Sequence, residues 1–331
     1  MSSETANQKV DQKVIDELER VLVNADKKTH LSLRYRALFS LNALGKKGDS
    51  RAIDAVYSAF GDDSELLKHE MAYVLGQSGQ KYAVEPLTKV LNDLNQQVMV
   101  RHEAAEALGA LGFPEALPVL QKYYKEDPLV PIKETCDLAI NRICWKNGLE
   151  RKNEVISTSE YDDVIDPAPP LPDATAADVS AEVKKLRSEL IDQKLPLFYR
   201  YRVMFRLRNI GTEEAVEALT DGFQDPSALF KHEVAFVFGQ LTSPKAIPSL
   251  VKVLEDKSEA PMVRHEAAEA LGGIATAECI PVLEKYAKDD VRVVAESCIV
   301  ALDMIKYEQS GEMEYAYVPK AGGKVPLENE E

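Results

Sequence analysis

Four times in this chain a histidine is followed directly by a glutamate: His69-Glu70, His102-Glu103, His232-Glu233 and His265-Glu266. Only five histidines are present, and His30 alone lacks the acidic neighbour. One such pair on a helix is usually solvated and without consequence. Four in register are a different observation, because imidazole and carboxylate are ligand types for transition metals. Two histidines and one carboxylate with open positions form the ligand set of non-haem iron oxygen chemistry. The interval from His69 to His102 recurs unchanged from His232 to His265. If each such step leads to a neighbouring helix ~8–10 Å away, imidazoles from two such helices reach a common ion. Each half of the chain then makes one metal set, and two sets face to face make a two-metal centre.

The residues alone leave the carboxylate open. In the two HEAAE segments, Glu106 and Glu269 stand four residues after His102 and His265, on the same helical face. Glu103 and Glu266 are adjacent to those histidines and rotated by roughly a third of a turn. Either kind can bind the metal or stand behind a ligand. At the corresponding place after His69 and His232 the chain has Tyr73 and Phe236, read as packing residues. Zinc competes with iron, yet no thiolate is near, and a structural zinc normally closes four positions with Cys or His. A di-metal hydrolase could use the same cluster without oxygen. A non-catalytic scaffold would hold no metal and tolerate alanine at all four histidines.

The elements that carry the pairs are repeated. KHEMAYVLGQ at 68–77 returns as KHEVAFVFGQ at 231–240, and RHEAAEALGALG at 101–112 returns at the same offset as RHEAAEALGGIA at 264–275. YRALFSLNALG from Tyr35 resembles YRVMFRLRNIG from Tyr201 at a slightly longer offset. The chain is an internal duplication. Within each half, segments such as AVEPLTKVLND place Val84, Leu87, Val90 and Leu91 on one helical face. Pro86, Pro118, Pro248 and Pro281 fall early in such helices, where a missing N–H costs little. Gly76, Gly109, Gly112, Gly239 and Gly272 read as helix stops. A two-helix unit of ~30–45 residues stacking on its neighbours is an α-solenoid. The expected fold is all-α: about eight helical hairpins in two symmetric four-repeat halves, over 1–149 and 179–307. Residues 150–178, with prolines at 167, 169, 170 and 172, read as an acidic, extended, mobile linker that leaves the angle between halves free. Residues 308–331 read as a disordered tail.

Composition narrows the partners. A formal net charge of −15 disfavours nucleic acid, whose phosphates require clustered Lys and Arg. MSSETANQKVDQKV has no apolar core, so no signal peptide is expected, and no run of ~18 apolar residues points to a membrane. Cys136, Cys144, Cys279 and Cys298 form no CxxC pair. Buried reduced thiols and a cytoplasmic or nuclear location follow. A monomer is expected.

With KHE…GQ and RHEAAEALG in each block, the chain resembles the deoxyhypusine hydroxylases, a family of HEAT-repeat enzymes, from about Ile15 to Ile305. The resemblance implies a di-iron monooxygenase with two Fe(II) ions per chain, O2 as co-substrate and an external reductant. It implies, as substrate, the deoxyhypusine side chain of translation initiation factor 5A, converted to hypusine. Carried onto this sequence, His69, His102 and Glu103 would hold one iron, and His232, His265 and Glu266 the other. Glu70 and Glu233 match positions in the same site that are suited to meet the substrate's amines. Such a carboxylate attracts an ammonium by ~4 kcal/mol at close range in an intermediate dielectric, before desolvation. The acidic surface suits a basic loop of the partner.

Overall fold

Every regular element in the computed structural model is helical among the described residues, which are 10–148, 154, 156–173, 178–311, 315–317 and 319. The first half contains α1 (Gln12–Val23), α2 (Leu31–Lys46), α3 (Ser50–Ser58), α4 (Glu65–Gln77), α5 (Val84–Asn92), α6 (Val98–Leu111), α7 (Leu117–Glu126) and α8 (Val130–Lys146). The second contains α9 (Val179–Leu190), α10 (Leu197–Ile210), α11 (Glu213–Thr220), α12 (Ala228–Leu241), α13 (Ile247–Glu255), α14 (Pro261–Ile274), α15 (Ile280–Tyr286) and α16 (Arg292–Ser310). Odd and even helices pair as hairpins, giving the expected solenoid of eight. Each even-numbered helix also packs on the next. Because α8 meets α10 and α16 meets α2, the even helices close into a ring.

Local sequence explains the two layers. The odd helices are amphipathic: α5 buries Leu87, Val90 and Leu91 on one stripe while Glu85 and Lys89 face water. Each such buried side chain contributes about 1.5–3 kcal/mol. The even helices are buried nearly all round, so their polar residues need partners supplied by the fold. Arg34, Arg101, Arg200 and Arg264 recur one turn into α2, α6, α10 and α14. Each donates Nε to the last turn of the preceding helix, at Leu22, Leu91, Leu190 and Leu254 carbonyls. Each also reaches an aspartate in the loop that joins the two helices of the next hairpin: Asp62, Asp127, Asp225 and Asp289.

The glycines correct an expectation. Gly112 does end α6, in the left-handed region at φ 71°. Gly76, Gly109, Gly239 and Gly272 lie inside their helices instead. A Cβ on Gly109 would come within 2.7 Å of the Ala139 backbone, and one on Gly272 within 2.7 Å of Ala301. These positions let neighbouring even helices touch, and helix ending is not their role.

The described part of the segment between the halves, at 154 and 156–173, also departs from the expectation of a mobile linker. Ala168 is wholly buried, and Asp166 makes a two-pronged ion pair with buried Arg208 at 2.7 and 2.8 Å. The Gln77 side-chain amide exchanges two hydrogen bonds with the Ile165 backbone. Arg202 donates to the carbonyls of Pro169 and Pro170. The physical reason is that buried guanidiniums on α8 and α10 need acceptors, and this segment supplies them. Part of the expected tail is docked as well: the Tyr315 hydroxyl donates to Asp303 at 2.7 Å, and Tyr317 N donates to the Arg36 carbonyl. Most of 308–331 lies outside the described residues.

Candidate metal centre

His69, His102, His232 and His265 are each the fifth residue of their helix, in α4, α6, α12 and α14. The other four even helices carry Tyr35, Glu134, Tyr201 and Glu296 at the same place. Ring closure brings the histidines together. Ring centroids lie 5.6 Å apart for His69 and His102, and 5.2 Å for His232 and His265. Across the halves, His69 is 5.2 Å from His265, and His102 is 5.3 Å from His232. All four are at most 4% exposed.

The ligand atoms fit metal ions. Both ring nitrogens of His69, His232 and His265, and Nε2 of His102, are buried without a hydrogen-bond partner. A buried unpaired polar group costs about 1–3 kcal/mol, so a protein gains by binding something there. His69 Nε2 stands 3.1 Å from Glu103 Oε2, and His232 Nε2 stands 3.3 Å from Glu266 Oε2, neither aligned as a hydrogen bond. Atoms bound at ~2.1 Å to one ion stand about 3 Å apart when adjacent around it. Ligand atoms of His69, His102 and Glu103 all fall within 4.8 Å of one another. His265, Glu266 and Glu269 form a second such group, and His69, His232 and His265 a third that mixes the halves.

Beyond the candidate ligands the two halves differ. On α8, the Thr135 hydroxyl lies 3.4 Å from His102 Nδ1 and donates to the Pro131 carbonyl at 2.8 Å. On α16, Ser297 donates to Glu269 at 3.1 Å, and Glu269 lies 3.6 Å from His265 Nδ1. Glu106 Oε2 has no partner. Burial and neighbouring imidazoles push His102 and His265 well below the usual histidine range, and burial takes His232 down to about 3. Burial acts most strongly, to lower His69, but the carboxylates of Glu103, Glu269 and Glu70 together outweigh it and the result is about 9. Burial, then the charge of Glu269, raises Glu70 to about 8, and burial raises Glu233 well above its ordinary value. Crowded carboxylates of this kind are relieved by positive charge from a bound ion.

Glu70 and Glu233 line a cavity of about 430 Å³ that adjoins the histidines. Tyr73 and Phe236 meet across the halves at 6.2 Å between ring centroids and also line it. His30 is elsewhere, capping α2.

The family of HEAT repeats matches residues 53–136 and 216–303, and the PBS lyase HEAT-like repeat family matches 199–225. A deoxyhypusine hydroxylase of Schizosaccharomyces pombe is 74% identical over 320 residues, 97% of this chain and 99% of the relative. The chain belongs to the deoxyhypusine hydroxylase family. A deoxyhypusine hydroxylase of Candida albicans is 56% identical, over 96% of this chain and all of the relative. The structure of human deoxyhypusine hydroxylase in complex with glycerol superposes with a TM-score of 0.80 at 47% identity, covering 89% of this chain and 96% of that one.

The four His-Glu pairs, with Glu106 and Glu269, thus gather at one place. Sequence reasoning did not place Tyr35, Thr135 or Ser297 at the site. Tyr35 begins one of the repeated segments, and its distance before His69 nearly matches the step from His69 to His102, so register was the available signal.

Proposed function

We propose that this chain is an O2-dependent di-iron monooxygenase that hydroxylates the deoxyhypusine side chain of translation initiation factor 5A, giving hypusine. The observation that carries the reading is the buried group of four imidazoles, two from each half, with Glu103 and Glu266 against them. His69, His102 and Glu103 would hold one ion, and His232, His265 and Glu266 the other. Iron at this place supplies the activation of O2, with one oxygen atom entering a C–H bond, the other leaving as water, and two electrons and two protons drawn from an external reductant.

The chain's own groups do the rest. Glu70 and Glu233, buried one on each half, attract the amines of the incoming side chain. Tyr73 and Phe236 keep bulk water from the space between them, which strengthens that attraction. The test is Glu70→Gln and Glu233→Gln in iron-loaded protein given the deoxyhypusine-bearing factor. Iron content should stay at the wild-type level while substrate affinity falls at least about tenfold. Full affinity in both variants would remove the assigned role. An iron-loaded wild type that leaves the factor unmodified in air, with reductant present, would remove the function.

A further inference from the structure

Tyr35 and Tyr201 occupy the helix position that carries a metal-binding imidazole in four neighbouring helices, and the duplication makes them equivalents. Their hydroxyls nevertheless have different fates. Tyr201 donates to the Leu229 carbonyl at 3.3 Å and lies outside the cavity wall. Tyr35 is 2% exposed, its hydroxyl has no partner, and the residue lines the cavity together with Glu70 and Glu269. A buried hydroxyl left unpaired at a cavity wall is costly unless a ligand completes it.

The cavity itself is lopsided in the same sense. From the histidines it extends along the second half, past Met304, to the exposed Glu308. Arg142, the first-half equivalent of Met304, instead donates to the Asp166 carbonyl oxygen of the inter-half segment. That segment therefore occupies one of two equivalent approaches; the other, between α2 and α16, reaches the exposed Glu308 with the docked Tyr315 forming part of its wall.

Resting on the function proposed above, we infer that the substrate side chain enters along α2 and α16, and that the Tyr35 hydroxyl accepts a hydrogen bond from one of its amines beside Glu70 and Glu269. A neutral acceptor on the same wall as two carboxylates fixes the amine's position without adding charge. Tyr35 is then a substrate-contacting residue that one half of the duplication has and the other has lost.

The experiment compares Tyr35→Phe with Tyr201→Phe in the full, iron-loaded chain. Binding of the deoxyhypusine-bearing factor is measured by calorimetric titration without O2, followed by initial rates in air. Tyr35→Phe should bind about tenfold more weakly, with KM raised in proportion, kcat within about twofold and iron content unchanged. Tyr201→Phe should match wild type in affinity. Wild-type affinity in Tyr35→Phe, or equal losses in the two variants, overturns the inference while the function stands. A wild type that does not bind the factor overturns both.

Discussion

Thr135 has one hydroxyl proton, and the Pro131 carbonyl takes it at 2.8 Å. Only lone pairs then face His102, so the imidazole must present Nδ1–H to Thr135 and leave the Nε2 lone pair toward the cluster. The threonine thus selects the tautomer that can bind metal. In Thr135→Val iron should dissociate about 10- to 100-fold more readily, with helix content unchanged; metal retained after timed chelator dialysis is the readout, and wild-type retention would contradict the assignment. The His-Glu pairs were legible because histidine is scarce here and each pair repeats. Thr135 was not, being one hydroxyl among many and far along the chain from the imidazole it orients. Nor could HEAAE separate its glutamates, since both copies read alike. The difference between Glu106 and Glu269 comes from neighbours on other helices, Ser297 among them.

At the scale of the element, the repeated Arg–Asp tie does two jobs. The arginine secures the end of the preceding helix, and its aspartate also receives a backbone N–H at the start of the next even helix, as Asp289 does from Val291. The hydrogen bond from Arg264 holds the Asp289 carboxyl below its usual 3.8. The folded state therefore binds fewer protons than the unfolded one below about pH 4, and the stability gained above that is lost as pH falls through the lowered pKa. Asp289→Asn should be less stable at neutral pH by about 1–3 kcal/mol, and the gap should narrow toward pH 3. Urea unfolding at the two pH values measures this; an unchanged gap would contradict it. Periodicity revealed the helices and their pairing, because an apolar stripe is local. It misread Gly76, Gly109, Gly239 and Gly272, because a helix stop and a close helix contact both favour glycine and only packing tells them apart.

The whole molecule is held as a ring by contacts between its halves. Ser64, capping α4, donates to Glu296 of the opposite half at 2.7 Å, and its equivalent Ser227, capping α12, donates to Glu134 at 2.7 Å. Arg36 pairs with Asp303 at 3.1 Å. The angle between halves, which the sequence left free, is set by these closures and by the segment through Asp166. That segment looked mobile because its partner Arg208 is 42 residues away and nothing local announces it. Asp166→Ala leaves the 2%-exposed Arg208 without its carboxylate, and the expected cost is about 3–5 kcal/mol in chemical unfolding; a loss under about 1 kcal/mol would mean the segment is a passive tether. Ring closure matters because the proposed metal ligands come from both halves. The most direct test is therefore the metal content of protein purified from iron-supplemented cells, by elemental mass spectrometry, beside His69→Ala and His232→Ala. Two irons per chain, lost in both variants, is the predicted result. No metal, or zinc indifferent to both changes, would contradict the account.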